Sequence, residues 1–547
     1  MRSPPMNSMP TLNRLLQLTL AGLLLAACSS SDETAIFRDF PSEEDTGTGG
    51  GNGSGGGRDE TGDPTLLVLS QPAVTRDFVV VANRDQGALT KIQSSGSLSK
   101  VTSVEIGGRP TEVFAVGDTN RIVAFGRGEG SFAVVDLGDG GETDSVRRLP
   151  VLDNCNQITV SPDGLHAVLW YDNAAARAGE TMGPLSEVAL LDLSAEGAAP
   201  VTIGVGVNVR QVSFATDGSR AVVVSDDGAS VLVIAELTSN RSVPPIALSD
   251  DGVTGQLGAD RDVFVTEAAD FAVVRRAGID GLGIVNLETG DVRTVATGEL
   301  LTDIELLGPS RELALLSPSR SAVGFVGLEA AGLGSGSGEG SGDGVDWVEL
   351  PVGTAGFLVP SADGARVFAT GGNVGDNLLA SIAVDTHAVA SFNLRKNTRS
   401  LLNSSNGRYL LVVHGHAAGR QVAGEPEEEL VAKSSAVSVV DLEQGTAKLV
   451  LLPADPGAVA LNRDESQVLF VVSDESLGVR SARWIAFDSF AVQSVDFTRQ
   501  PTDVGALPGS DWMFVTQSHP QGRISFLNLS TGAMREVTGF SLNAFIE

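Results

Sequence analysis

The sequence predicts an all-β protein, a β-propeller of four-stranded antiparallel blades in about ten repeat units, and three observations predict it. An apolar strand ending in an acid or amide returns every roughly 40–58 residues, close to the ~40–50 residues of a four-stranded blade. Many copies are preceded by an Asp-Gly or Asn-Gly turn signature, and several are followed by a second turn such as Thr-Gly. Helical periodicity is almost absent.

The chain opens with Arg2 and Arg14, an apolar run from Leu15 to Ala27, and the small residues Ala26 and Ala27 before Cys28. That order reads as a signal peptide over 1–27. Its apolar core of about 13 residues is too short to cross ~30 Å of hydrocarbon, which takes about 20 residues in a helix. Leu25-Ala26-Ala27-Cys28 resembles the lipobox of bacterial lipoproteins. The resemblance implies cleavage before Cys28, a diacylglycerol on its sulfur and an acylated amino terminus, with Ser29 at the next position favouring the outer membrane. Residues 28–64 carry Glu43-Glu44-Asp45 and the glycine run from Gly49 to Gly57. They have too little apolar surface to fold, so they form a tether with a reach of about 30–36 Å. The expected domain order is signal peptide 1–27, lipidated tether 28–64 and propeller 65–547.

Across its 547 residues the chain is 42% apolar, 19% charged and carries a net charge of −31. This balance argues against nucleic acid, whose phosphates are met by Lys and Arg, and suits a solvated exported surface. Apart from Cys28 the only cysteine is Cys155, so no intramolecular disulfide is available once Cys28 is lipidated.

Landmark strands then run along the chain: Phe132-Ala133-Val134-Val135-Asp136-Leu137, the stretches from Val188, Val231, Leu282, Phe325 and Ser381, and those from Val437, Trp484 and Ile524. Ser161-Pro162-Asp163-Gly164, Ala215-Thr216-Asp217-Gly218, Ser361-Ala362-Asp363-Gly364 and Ser404-Ser405-Asn406-Gly407 supply the positive-φ positions of tight hairpins before many of them. Unit starts are expected near Leu67, Glu112, Gln157, Gln211, Val263, Asp303, Gly356, Arg399, Ala458 and Asp503. Ten units fit one ring or two. One ring is favoured, because no domain-boundary linker interrupts the repeat. The Gly/Ser run 332–344 falls between Phe325-Val326-Gly327-Leu328 and Trp347-Val348-Glu349-Leu350, and so reads as a loop inside a blade. The Ser-Pro-Asp-Gly turn, Phe78-Val79-Val80-Val81-Ala82-Asn83-Arg84 and the recurrent Val-Val-Asp-Leu resemble bacterial YVTN-type and WD40-like propeller repeat proteins, a superfamily that includes lactonase-like propellers. No Trp-Asp dipeptide closes a blade.

Candidate chemistry is sparse. His414 and His416, two apart at a strand end, share a side of the strand, and Glu425, Glu427, Glu428 and Glu429 follow in an expected loop. Two imidazoles and a carboxylate make a divalent metal site the sharpest reading, against a plain polar strand end. Cys155 with His166 is a possible thiol pair, against an inert buried thiol. Haem-attachment, P-loop, Gly-x-Ser-x-Gly and His-Glu-x-x-His motifs are absent, and no catalytic residue or cofactor is assigned. The expected function is a lipid-anchored, non-enzymatic envelope scaffold that binds a protein or glycan partner. A hydrolytic propeller and a structural envelope component are the alternatives.

Overall fold

The computed structural model describes residues 72–539, apart from short stretches of which 249–260, 329–344 and 418–425 are the longest. The expected signal peptide, Cys28, the expected tether and the expected start at Leu67 lie outside the described residues, as do Glu425 and the Gly/Ser run.

Ten antiparallel sheets follow one another along the chain, spanning 73–105, 112–150, 157–204, 209–233, 261–295, 303–349, 357–393, 398–452, 456–496 and 501–538. They are blades 1 to 10. In eight of them the strand order is the chain order, four strands stepping from first to fourth. The described strands flanking the Gly/Ser run, Ala322–Gly327 and Asp346–Glu349, are paired neighbours within blade 6.

Successive side chains of a strand point to opposite faces of its sheet, and here both faces are covered. In the second strand of blade 8, Leu410 and Val412 pack with blade 7, whereas Leu411 and Val413 pack with blade 9. The second and third strands therefore read as nearly unbroken apolar runs, the pattern of a sheet buried on both sides. Fourth strands are polar, as in Val389–Asn393, where Phe392 alone is buried.

Ten hydrophobic clusters fill the spaces between blades. Nine join consecutive blades. The tenth joins Val79 and Ile92 of blade 1 to Leu507, Phe514, Ile524 and Phe526 of blade 10. Two separate five-bladed rings would need contacts between blades 1 and 5 and between 6 and 10. The observed set instead includes blade 5 on blade 6, through Ile284 and Leu315 among others, and closes one ring of ten.

Blades 3 and 4 depart from the plan. After the third strand of blade 4, Gly228–Val233, the chain crosses to blade 3, where Arg241–Ser242 pairs in parallel with Ile203–Gly204. Blade 3 thus has five strands and blade 4 three. Pro244 and Pro245 supply the reason, since residues without an N–H cannot complete a ladder. A second departure lies in blade 8. Glu427, Glu428 and Glu429, expected in a loop, open helix α1 (Glu427–Lys433). Three acids in its first turn and Lys433 in its last both complement the helix dipole.

Candidate functional site

Each blade's first strand begins, and its second ends, on one rim of the ring. The connections between blades and those from second to third strand gather there, forming the loop rim. The tight Asp-Gly turns lie on the other rim. Two second-to-third connections stand out in length, 171–186 in blade 3 and 415–434 in blade 8, against 371–377 for the next. Five blades apart in a ring of ten, they face one another across the axis.

The blade 3 connection is fixed by a buried guanidinium. Arg127, in the corresponding connection of blade 2, donates from Nε to Glu180 Oε1 at 3.1 Å and from its NH2 group to the Ala175 carbonyl at 2.8 Å. Its side chain is only 6% exposed and that of Glu180 20%, so this pair is largely shielded from solvent. Burial pushes the Glu180 carboxyl up, but hydrogen bonds from Arg127 and from the Arg177 amide (3.0 Å) outweigh it and hold the group below the ordinary range. Glu112, which begins the first strand of blade 2, goes the other way. Burial raises it, and Arg127 and Arg177 offset only part of the rise.

Behind this pair lies Asn156, fully buried, which accepts from the Asp172 amide at 2.8 Å and donates to its carbonyl at 2.9 Å. Burial also raises Asp172, and the Ala174 amide and Arg210 offset only part of the rise. Arg210 binds Asp226 at 2.9 Å, so the charged chain crosses from blade 2 to blade 4. Between blades 2 and 3 this network borders a cavity of about 240 Å³, lined by Arg127, Asn154, Asn156, Glu180 and Thr181. Its polar side chains are held in place by the hydrogen bonds of this network. Its volume is below the roughly 300–1,000 Å³ of small-molecule pockets, which suits one residue of a larger ligand better than a whole cofactor.

The histidines read from the sequence sit across the ring on blade 8. His414 is buried, with Nδ1 3.0 Å from the Asn397 carbonyl and Nε2 2.7 Å from Ser438 Oγ. Both ring nitrogens therefore have protein partners. Burial, aided by Lys396, lowers its pKa to about 4. His416 is half-exposed and lies 3.3 Å from Asp455 Oδ2. Ser435 Oγ donates to Asp455 Oδ1 at 2.5 Å, so hydroxyl and imidazole converge on the carboxylate rather than on one another. A nucleophilic triad needs the hydroxyl on the imidazole. Among the described residues no three His, Cys, Asp or Glu side chains group as a metal site. Beneath this rim Lys396 Nζ donates to the carbonyls of Val431 (2.6 Å), Ala432 (3.1 Å) and Ser434 (2.8 Å), clamping the C-terminal end of α1.

Cys155 and His166 occupy opposite ends of blade 3. The former precedes the first strand on the loop rim, and the latter starts the second strand at the turn rim, opposite Asp192. Burial, with help from Asp153, pushes the Cys155 thiol up to about 12, the state of an inert core residue. His387, stacked on Phe325 at 4.4 Å, also lies at the turn rim.

Glu112, Arg127, Asn156, Asp172, Glu180 and Arg210 were not legible as a site, because they come from five separate segments. One signal pointed there. The landmarks at Phe132 and Val188 are widely spaced, and the excess is the 171–186 connection.

These features define a ten-bladed propeller with a polar cavity on its loop rim. No family model and no curated protein matches the chain. Among solved structures, a eukaryotic initiation factor is similar at 11% identity and TM-score 0.46, covering 74% of this chain and 95% of that one. The dihydro-heme d1 dehydrogenase NirN in complex with DHE is similar at 16% identity and TM-score 0.39, with coverage of 69% and 73%. The Cps50 (Swd1) β-propeller domain of Myceliophteria thermophila gives 12% and 0.29, with 58% and 94% covered. The assignment of one ring rests on the strand pairing and the interblade clusters.

Proposed function

We propose that this chain is a lipid-anchored cell-envelope propeller that holds a protein or glycan partner on its loop rim. The observation that carries the reading is the cavity beside the Arg127–Glu180 pair, whose polar lining is held rigid by hydrogen bonds within the protein. Preorganised polar groups reduce the ordering cost of binding, and guanidinium, amide and carboxylate together suit hydroxyl groups or peptide side chains. Cys28 would carry the lipid and the tether would hold the ring clear of the bilayer.

The test uses the full chain in its own membrane, with a photo-crosslinking residue at Thr181 on the loop rim or at Asn406 on the turn rim. A discrete partner trapped from Thr181 only, and reduced by Arg127→Ala, supports the reading. Equal trapping from both rims opposes it. Anchoring is checked separately by labelled palmitate, which should enter the parent chain and not Cys28→Ala.

One observation favours a hydrolytic reading. Glu112 and Glu180 both feel the charge of Arg127, and their pKa values are displaced in opposite directions, as in an acid and base pair. Glycan turnover abolished by Glu180→Gln, with crosslinking retained, would put that reading first.

A further inference from the structure

Most outer strands in this ring carry charge, the fourth strand of blade 7, Val389–Asn393, being an exception. Lys100, Arg147, Arg293, Lys448 and Arg535 stand on the fourth strands of blades 1, 2, 5, 8 and 10, and charge on an edge discourages pairing with other chains. Blade 4 is different. Its outermost strand is Gly228–Val233, Gly-Ala-Ser-Val-Leu-Val, a third strand of the kind that other blades cover with a fourth.

The register shows which backbone groups this leaves open. Ala229 exchanges both of its hydrogen bonds with Ile246, at 3.0 and 2.8 Å, so its N–H and C=O face outward. In an antiparallel ladder such residues alternate with those bonded inward, so Val231 and Val233 also face outward, opposite Val222 and Arg220. Among the described residues the fourth-strand position is filled only at Ala229. Further along, the chain is drawn onto blade 3 at Arg241–Ser242, and the Val243 carbonyl meets the side chain of Ser230 rather than its backbone. Val231 is partly exposed and Val233 is 37% exposed.

We infer that the outer edge of blade 4 accepts an extended, basic segment of a partner protein as the strand this blade lacks. Main-chain hydrogen bonds to Val231 and Val233 would set its register, and alternate side chains would enter between blades 3 and 5. Charge selects the occupant. With a net charge of −31, the molecule attracts a cationic segment over long range and repels a second copy of itself. This inference is independent of the loop-rim cavity, which lies elsewhere on the ring.

The test titrates the full chain with an eight-residue peptide of alternating Lys and Val, using a Glu and Val peptide as control, and follows amide hydrogen exchange. At saturation the basic peptide should slow exchange at Val231 and Val233 at least tenfold, and the acidic one should not. Val231→Pro removes an outward N–H that has no ladder partner among the described residues, so it should keep the parent's melting point and weaken peptide binding at least tenfold. Should that variant fold poorly, the peptide carries the test. N-methylation at the amides in one alternating set should abolish binding, and methylation of the other set should leave it. Protection elsewhere, equal binding by both methylated peptides, or protection of this edge by self-association without peptide would overturn the inference.

Discussion

Held between the Asn397 carbonyl and Ser438, the His414 ring stays neutral, with a pKa lowered from 6.5 to about 4 chiefly by burial. The unfolded chain takes up a proton near pH 6.5 that the folded chain refuses until about pH 4. Stability contributed by this group is therefore complete above pH 6.5 and lost as pH falls through that window, by about 3 kcal/mol at ~1.4 kcal/mol per unit. Asp503 acts in the opposite sense, because burial raises it to about 6, offset in part by the Val504 amide, and its protonation stabilises the fold as pH falls below that value. Comparison with His414→Gln separates the two. The stability advantage of the parent over this variant, measured by urea unfolding, should shrink by about 3 kcal/mol between pH 7.5 and 4. An advantage that is the same at both pH values would rule out a buried neutral imidazole. The sequence showed His414 as a polar residue at a strand end. Its burial depends on Asn397 and Ser438, which only the folded blade brings to it.

At the scale of the element, the Asp-Gly hairpins do two jobs, and only one was legible. The local job follows from residue type: Ser161 Oγ donates to Asp163 Oδ1 (2.5 Å) and accepts from the His166 amide (2.9 Å), while Gly164 takes φ 68°. The same arrangement recurs at Ser361 and Ser404. The second job is contact with the preceding blade. A Cβ built on Gly164 would lie 1.9 Å from Val116 Cγ1, and one on Gly218 would lie 2.5 Å from Asp163 Oδ2. Gly445, in a turn after the third strand of blade 8, has φ 66° and nothing within 4 Å of an added Cβ. Gly445→Ala should therefore cost only the left-handed backbone penalty, about 1–2 kcal/mol. Gly164→Ala should cost that plus ~1–3 kcal/mol of overpacking against blade 2. Equal losses in thermal unfolding would show that the turn does not wedge the blades. Repeat spacing located most unit starts within a few residues because strand and turn chemistry are local. The diversion after blade 4 escaped notice because its cause, Pro244-Pro245, follows a landmark strand that looks like all the others.

For the whole molecule the decisive interface is the one that chain order does not enforce. Among the described residues every strand of blade 1 comes from the N-terminal side of the propeller and every strand of blade 10 from its C-terminal side, with no strand shared across the closure. Among the described residues face packing holds it, through six buried side chains, with Gly505 leaving room for the Phe514 ring paired opposite it. The interface between blades 2 and 3 is larger, and the short connection 151–156 ties it covalently. Removing a buried phenylalanine costs ~3–5 kcal/mol at either place, but the consequences should differ. In a stack of nearest-neighbour units, Phe125→Ala weakens an interface whose blades remain tethered. Phe526→Ala weakens the only one whose opening linearises the ring. Amide exchange in Val79–Asn83 and Trp512–Gln517 should then become faster by at least tenfold in Phe526→Ala while blades 4 to 7 keep their parent rates, and Phe125→Ala should produce no such gradient. Uniform acceleration around the ring in Phe526→Ala would mean that the closure opens no more readily than the other interfaces.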